Sequence, residues 1–289
     1  GYHFVVLFFT VFPTSILALK AFRKETIDND LHRLTKKWML ILFWVVLILF
    51  SIVKTKIVHY SSLAYFPLTF LAAGFVYNAW QNKLVWSRWI SVTVIVVAAL
   101  FTIPVTVLPF VDTIKQQVIE MNVIHDKFAV ANLQADGGWR GFEFLPGLLF
   151  LAAVVFVFVR VPKTDVLKRA VSLWVITLIF TVSVIMLVVP RIERYSQNAL
   201  VEFFKSHAGE NVYLKNLNFK SYAGWVYGAT TPPQNQNYYD ANWLLTGDID
   251  KDVYFVTKIQ FTERMLQYPE VQKIGEKNGF VFYLRKAER

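Results

Sequence analysis

Ile90-Ser91-Val92-Thr93-Val94-Ile95-Val96-Val97-Ala98-Ala99-Leu100-Phe101-Thr102-Ile103-Pro104-Val105-Thr106-Val107-Leu108-Pro109-Phe110-Val111 runs its whole length without a charge. A hydrocarbon layer ~30 Å thick needs about 20 mostly apolar residues as a helix, so this stretch is predicted to cross a bilayer once. His3–Leu19, Trp38–Val53, Ser61–Trp80, Phe144–Val159 and Val171–Val189 read the same way. As helices they satisfy their backbone hydrogen bonds internally, which lipid demands. The expected fold is therefore a mainly α membrane protein. A polytopic bundle of six transmembrane helices occupies residues 1–190, and a small α/β extracytoplasmic domain follows at 191–289.

The whole-chain composition agrees. Of 289 residues, 55% are hydrophobic and 17% aromatic, and the mean hydropathy is +0.42. An ordinary globular domain holds about 45–50% apolar residues. The net charge of +10 would suggest nucleic acid in a soluble chain. Here the basic residues sit in the turns between spans, so no nucleic-acid partner is expected. The absence of cysteine removes disulfides, thiolate metal sites and a cysteine nucleophile.

Alternate connections differ in charge. Lys20, Arg23, Lys24, Arg33, Lys36, Lys37, Lys83, Arg88, Arg160, Lys163, Lys168 and Arg169 lie on one side, against Lys54, Lys56, Lys115, Lys127 and Arg140 on the other. Basic residues favour the cytoplasmic side, so Gly1 and the C-terminal domain are predicted outside the cell. The first segment has no initiating Met, basic n-region or small-residue cleavage site. That argues against a cleaved signal peptide, and the chain is expected to begin inside a longer protein.

Phe12-Pro13-Thr14-Ser15 predicts a kink in the first span, because proline removes a backbone donor. Asp28-Asn29-Asp30 has the D-x-D form of a metal-holding triplet but reads as a solvated cytoplasmic turn. In the external loop 112–143, Ile114, Val118, Met121, Ile124 and Phe128 recur at helical spacing. They predict an amphipathic helix, lying at the membrane surface or packed on the external domain. Gly137-Gly138-Trp139-Arg140-Gly141 reads as a flexible return with Trp139 at the headgroup layer. Beyond Pro190, strands are expected at Asn211–Leu214, Trp225–Tyr227, Val253–Lys258 and Gly279–Leu284, and helices at Asn198–Ala208 and Thr262–Lys277. A turn is expected at Thr231–Asn237.

Chemistry concentrates in Ser51-Ile52-Val53-Lys54-Thr55-Lys56-Ile57-Val58-His59-Tyr60-Ser61-Ser62-Leu63-Ala64-Tyr65-Phe66-Pro67-Leu68, the tight external link between the second and third spans. Two lysines and a histidine lie there against the cytoplasmic bias. Ammonium groups beside an imidazole and a phenol make a donor-rich patch for a lipid phosphate at headgroup depth. The plain alternative is that the lysines snorkel to the interface. Lys56 and His59 share a side if the link is helical and part if it is extended.

The pattern S-x-x-K-T-K-x-x-H-Y-x-x-x-x-Y-x-P-L, with the F-P-x-S span before it and the loop ending G-G-W after it, resembles the C-terminal half of bacterial lipid-linked-sugar glycosyltransferases. These are the aminoarabinose transferase and protein O-mannosyltransferase relatives of the GT-C superfamily. Val58 and Ser62 depart from prolines frequent among them. The resemblance implies transfer of a sugar from a polyprenyl phosphate to a lipid or protein acceptor at the bacterial cytoplasmic (inner) membrane. It further implies lipid-phosphate contacts from Lys54, Lys56, His59 and Tyr60. The family's proposed base is an acidic residue of the first external loop, which this sequence does not contain, so the catalytic residue is unassigned. No cofactor or metal is implied. The alternative is a non-enzymatic membrane-anchored protein whose external domain binds or senses an envelope partner. A transporter is disfavoured, since no span carries an acidic residue near its middle.

Asp248-Ile249-Asp250-Lys251-Asp252 begins like a calcium loop, but Val253 stands where glycine is required and Ile259 where the twelfth-position glutamate belongs. It reads as a turn. His3, His32, His59, His125 and His207 never approach a two-histidine zinc spacing. Tyr222, Trp225, Tyr227, Tyr238, Tyr239 and Trp243 are expected mainly in the core of the external domain, with sugar stacking the minor reading.

Overall fold

The structure, a computed structural model, describes residues 1–22, 30–54, 57–229 and 235–288. They form two compact units, Gly1–Leu108 with Phe142–Met186, and Pro109–Gly141 with Leu187–Arg289. In chain order the helices begin with α1 (Tyr2–Thr10), α2 (Thr14–Ala21), α3 (Asp30–Ile52), α4 (Tyr65–Trp80) and α5 (Arg88–Val107). The second unit takes α6 (Val111–Glu120) and α7 (Lys127–Leu133), and the chain returns to the first for α8 (Leu145–Arg160) and α9 (Val166–Leu187).

The first unit is helical and apolar. Among the described residues, Asp30–Ile52, Val58–Trp80, Arg88–Glu120 and Val166–Arg194 are long and apolar enough to cross a membrane, and the bent pair α1–α2 makes a fifth if counted as one span. The remaining predicted segment, Phe144–Val159, is α8, apolar but only 16 residues long. At Phe12-Pro13 the bend exceeds a kink: α1 and α2 meet at 113°. Ser15 Oγ donates to Phe8 O at 2.6 Å across the break, replacing part of what the helix loses there.

Helix α2 forms the centre, with Ile16, Leu17 and Ala18 fully buried beside Leu71, Ala72 and Phe75 of α4 and Ile90, Val94 and Ala98 of α5. Gly147 lets α8 close on α5, because a Cβ there would lie 2.7 Å from Thr106 Oγ1. Thr102 Oγ1 uses the gap to donate to Gly147 O at 3.1 Å. Phe150 stacks on Phe180 of α9 at 4.1 Å. The outer faces of α3 and α9 stay bare, with Trp38, Trp44, Leu178, Ile179 and Met186 all exposed.

Polar contacts gather the connections at one end of this unit. Lys20 Nζ donates to Ser87 Oγ at 2.9 Å. Arg169 donates through Nε at 3.0 Å and through Nη2 at 2.6 Å to Val161 O, the residue that ends α8. Its guanidinium lies 5.7 Å from the Trp86 ring and 5.5 Å from that of Phe158. The link between α3 and α4 emerges at the other end.

The second unit continues with α10 (Val189–Arg194), α11 (Asn198–Ser206), β1 (Tyr213–Asn216), α12 (Ala223–Tyr227), α13 (Ala241–Thr246), β2 (Val253–Lys258), α14 (Thr262–Met265), β3 (Gln272–Lys277) and β4 (Phe280–Arg285). The mixed sheet has the order β1-β2-β4-β3, with β1 parallel to β2 and the other pairs antiparallel. Side chains alternate between faces along each strand. Val253, Phe255, Val281 and Tyr283 meet Leu244 of α13 on one face, while Val256, Phe280 and Phe282 meet Leu200 and Phe204 of α11 on the other. Phe128 of α7 joins this second face, its ring 5.0 Å from that of Phe280.

Three local expectations change. Trp225–Tyr227, predicted as strand, lies in α12. The predicted helix Thr262–Lys277 divides into α14 and β3, because pairing with β4 overrides the helix preference of its Glu, Arg and Lys residues. Asn278 and Gly279, at φ 50° and 76°, supply the two left-handed residues that a two-residue hairpin turn requires. The amphipathic run in the loop is two helices, since Asn122 at φ 51° ends the first one.

Candidate functional site

The link Ser51–Leu68 belongs wholly to the first unit. Its Thr55 and Lys56 lie outside the described residues, as do Asp28 and Asn29 of the D-x-D triplet and residues 231–234 of the predicted turn. After α3, Lys54 is exposed. Ile57 is extended, at φ −111° and ψ 131°, and Val58–Ala64 then form 3-10 helix. Ser61, fully buried, pins this turn by donating Oγ to Val58 O at 3.1 Å. The result is mixed, extended at Ile57 and helical from Val58.

His59 is exposed and Tyr60 half-buried. The Tyr60 ring lies 5.4 Å from Phe50 of α3 and 6.0 Å, edge-on, from His59. The structure thus groups Tyr60 with His59. Among the described residues, no hydrogen bond, ion pair or ring contact joins Lys54 to either.

One neighbour was not among the predicted residues. His3 is fully buried, its ring 6.2 Å from that of Phe50, and neither of its ring nitrogens has a hydrogen-bond partner. A buried imidazole without a partner costs free energy. Ring contacts thus connect His3, the one buried residue in the first turn of α1, through Phe50 to Tyr60 and His59 of the link. No motif around His3 marks it; only the packing of α1 against the link does.

The G-G-W return, in the second unit, is clipped shut. Asp112 Oδ1 accepts from Tyr195 Oη at 2.8 Å and Lys115 Nζ at 2.8 Å, and its Oδ2 accepts from Gly137 N at 3.2 Å. Trp139 Nε1 donates to Tyr195 Oη at 2.8 Å, so Trp139 is half-buried and serves the clip. Burial first, and then the hydrogen bond to Asp112, push the Tyr195 phenol well above its ordinary pKa. Every strong donor and acceptor here has a protein partner, so the network is structural.

Other carboxylates are likewise committed. Asp250 accepts from Tyr213 Oη at 2.9 Å and Asn235 Nδ2 at 3.2 Å; Asp252 accepts from Ala287 N at 2.9 Å. Among the described residues no three His, Asp or Glu side chains group as metal ligands. The aromatics of the second unit divide. Tyr238 is buried, donating Oη to Leu214 O at 2.9 Å, and Trp243 packs 6.3 Å from Tyr213, whereas Tyr222 and Tyr239 face solvent.

Neither the family models nor the curated proteins nor the solved structures contain a match to this chain.

Proposed function

We propose that the chain is the C-terminal, membrane-embedded part of a glycosyltransferase that takes a sugar from a polyprenyl phosphate and passes it to a lipid or protein acceptor of the bacterial envelope. In this reading the bent pair α1–α2, then α3, the segment Val58–Trp80, α5, α8 and α9 are six spans in the cytoplasmic membrane, and the sheet unit lies outside. The bare apolar faces of α3 and α9 support insertion, since a soluble protein rarely leaves such surface uncovered. The gathering of Lys20, Ser87, Trp86 and Arg169 at one end supports a common cytoplasmic side for their connections.

The observation that carries the proposal is the link itself. It presents Lys54 and His59 to solvent beside the half-buried Tyr60 at the end of the unit away from that cationic cluster. Departure of a polyprenyl phosphate leaves negative charge on its oxygens, and ammonium, imidazole and phenol donors placed there lower the barrier. Lys54, Lys56, His59 and Tyr60 take that role. An apolar cleft of about 110 Å³, lined by Phe4, Leu7, Phe8, Phe43 and Trp44, lies among α1, α2 and α3 and suits part of an isoprenoid chain. No residue of this chain is assigned as the base.

The test is lipid binding by the full chain in nanodiscs. Lys54→Ala with Lys56→Ala should weaken undecaprenyl phosphate at least about tenfold, the loss expected for charge-assisted contacts, while Lys127→Ala should not. Equal affinity of the double variant and the parent would remove the link from the site and the transferase reading with it.

A further inference from the structure

The sheet unit contains a cleft of about 350 Å³ that the transferase reading does not use. It lies at the low end of the ~300–1,000 Å³ common for small-molecule sites. Its floor is the paired end of β2 and β4, where Lys258 stands opposite Phe280. Helix α7 roofs it with Phe128 and Asn132, which share a face at a spacing of four. The loop after β1 closes the side with Phe219 and Lys220.

Three phenylalanine rings therefore surround one cavity: Phe280 lies 5.0 Å from Phe128 and 5.8 Å from Phe219. Lys258 Nζ sits 4.3 Å from the Phe128 ring centroid and 5.8 Å from that of Phe219. Asn132 lines the same space and is 8% exposed. Its Nδ2 donates to Phe128 O at 2.9 Å, but among the described residues its Oδ1 has no partner. Buried amide oxygens are ordinarily paired, so this one marks a place for a donor from outside the protein. Ser196, Gln197 and Ser221 add polar groups to the rim, and no Asp or Glu lines it.

We infer that this cleft binds a sugar ring carrying an anionic substituent, a carboxylate or a phosphate. A pyranose has an apolar C–H face for the phenylalanines and hydroxyls that donate, as Asn132 Oδ1 requires. A lining with two lysines and no carboxylate selects a negative charge on that ring. The inference goes beyond the transferase reading and stands without it, because every residue it uses lies in the second unit.

Calorimetric titration of the full chain in nanodiscs tests it, with methyl glucuronide, glucose 1-phosphate, methyl glucoside and inorganic phosphate as probes. Saturable binding of both anionic sugars is expected, each displacing the other and each tighter than the neutral glucoside. Lys220→Ser, at an exposed position that leaves the fold intact, should weaken the anionic sugars about fivefold and leave the glucoside unchanged. Asn132→Leu should weaken all three sugars about tenfold. The inference is overturned if neither anionic sugar saturates, if inorganic phosphate alone binds as tightly as the anionic sugars, or if both variants bind like the parent. Loss of undecaprenyl phosphate binding in the link variants would not touch these results, so the two readings fail separately.

Discussion

Gly137 shows how one missing side chain fixes a loop. A Cβ there would lie 2.1 Å from the Tyr195 hydroxyl, inside the clip that holds Asp112, Lys115 and Trp139 together. Gly137→Ala should cost about 1–3 kcal/mol, the range for forcing atoms into a filled space, read as a drop in thermal midpoint. Tyr195→Phe asks the complementary question, because it leaves Trp139 Nε1 with no acceptor and takes one donor from Asp112. A loss of about 1–3 kcal/mol is expected for such an unpaired group, and an unchanged midpoint would show that the clip contributes nothing. None of this is visible in the string G-G-W, which suggests flexibility. Asp112 and Tyr195 are far apart in sequence, and only the folded chain makes them neighbours. His3 was hidden for the same reason, since its burial beside Phe50 is set by how α1 packs and not by any motif around it.

Among the elements, β2 could be read almost residue by residue, since Val253-Tyr254-Phe255-Val256-Thr257 is β-branched and aromatic throughout and only Lys258 at its end is neither. Strand β3 was harder because Gln272-Lys273-Ile274-Gly275-Glu276-Lys277 has mostly helix formers and little to bury. The informative signal was the Asn278-Gly279 pair that follows it, a hairpin turn sequence. Gly279 also abuts α7, where a Cβ would fall 2.9 Å from Phe128 Cδ2. Gly279→Val should therefore destabilise the sheet unit by roughly 1–3 kcal/mol or more through backbone strain and crowding, and equal resistance of variant and parent to urea would refute that account. Alkali probes the opposite strand edge. Burial, followed by the hydrogen bond to Asp250, raises the Tyr213 phenol to about 12, and burial raises Tyr238 to about 12. Since an unfolded tyrosine titrates near ~10, the neutral phenols stabilise the fold fully below that value. The stabilisation drains away as pH rises from about 10 toward 12. Tyrosine absorbance followed with circular dichroism should show ionisation and unfolding together, and Tyr213→Phe should move unfolding to higher pH.

For the molecule as a whole, apolar length was the most legible feature of the sequence, because a bilayer imposes its requirements on whole segments. Those requirements can be tested directly on α9, where Leu178 is 64% exposed. Leu178→Arg should disfavour insertion by about 2.5–3.5 kcal/mol in an assay that reports which side of the membrane a tagged loop reaches. Insertion as efficient as the parent's would mean that this face does not meet lipid. Helix α8 is the exception to the length rule. Its 16 residues extend about 24 Å at 1.5 Å each, short of an average hydrocarbon layer. The guanidinium of Arg169 already occupies the carbonyl of Val161 at its end, so the turn into α9 can sit below the headgroups without stranding a backbone oxygen. A bilayer that α8 crosses would thin locally to meet it, and reconstitution into bilayers of graded acyl length should favour the thinner ones.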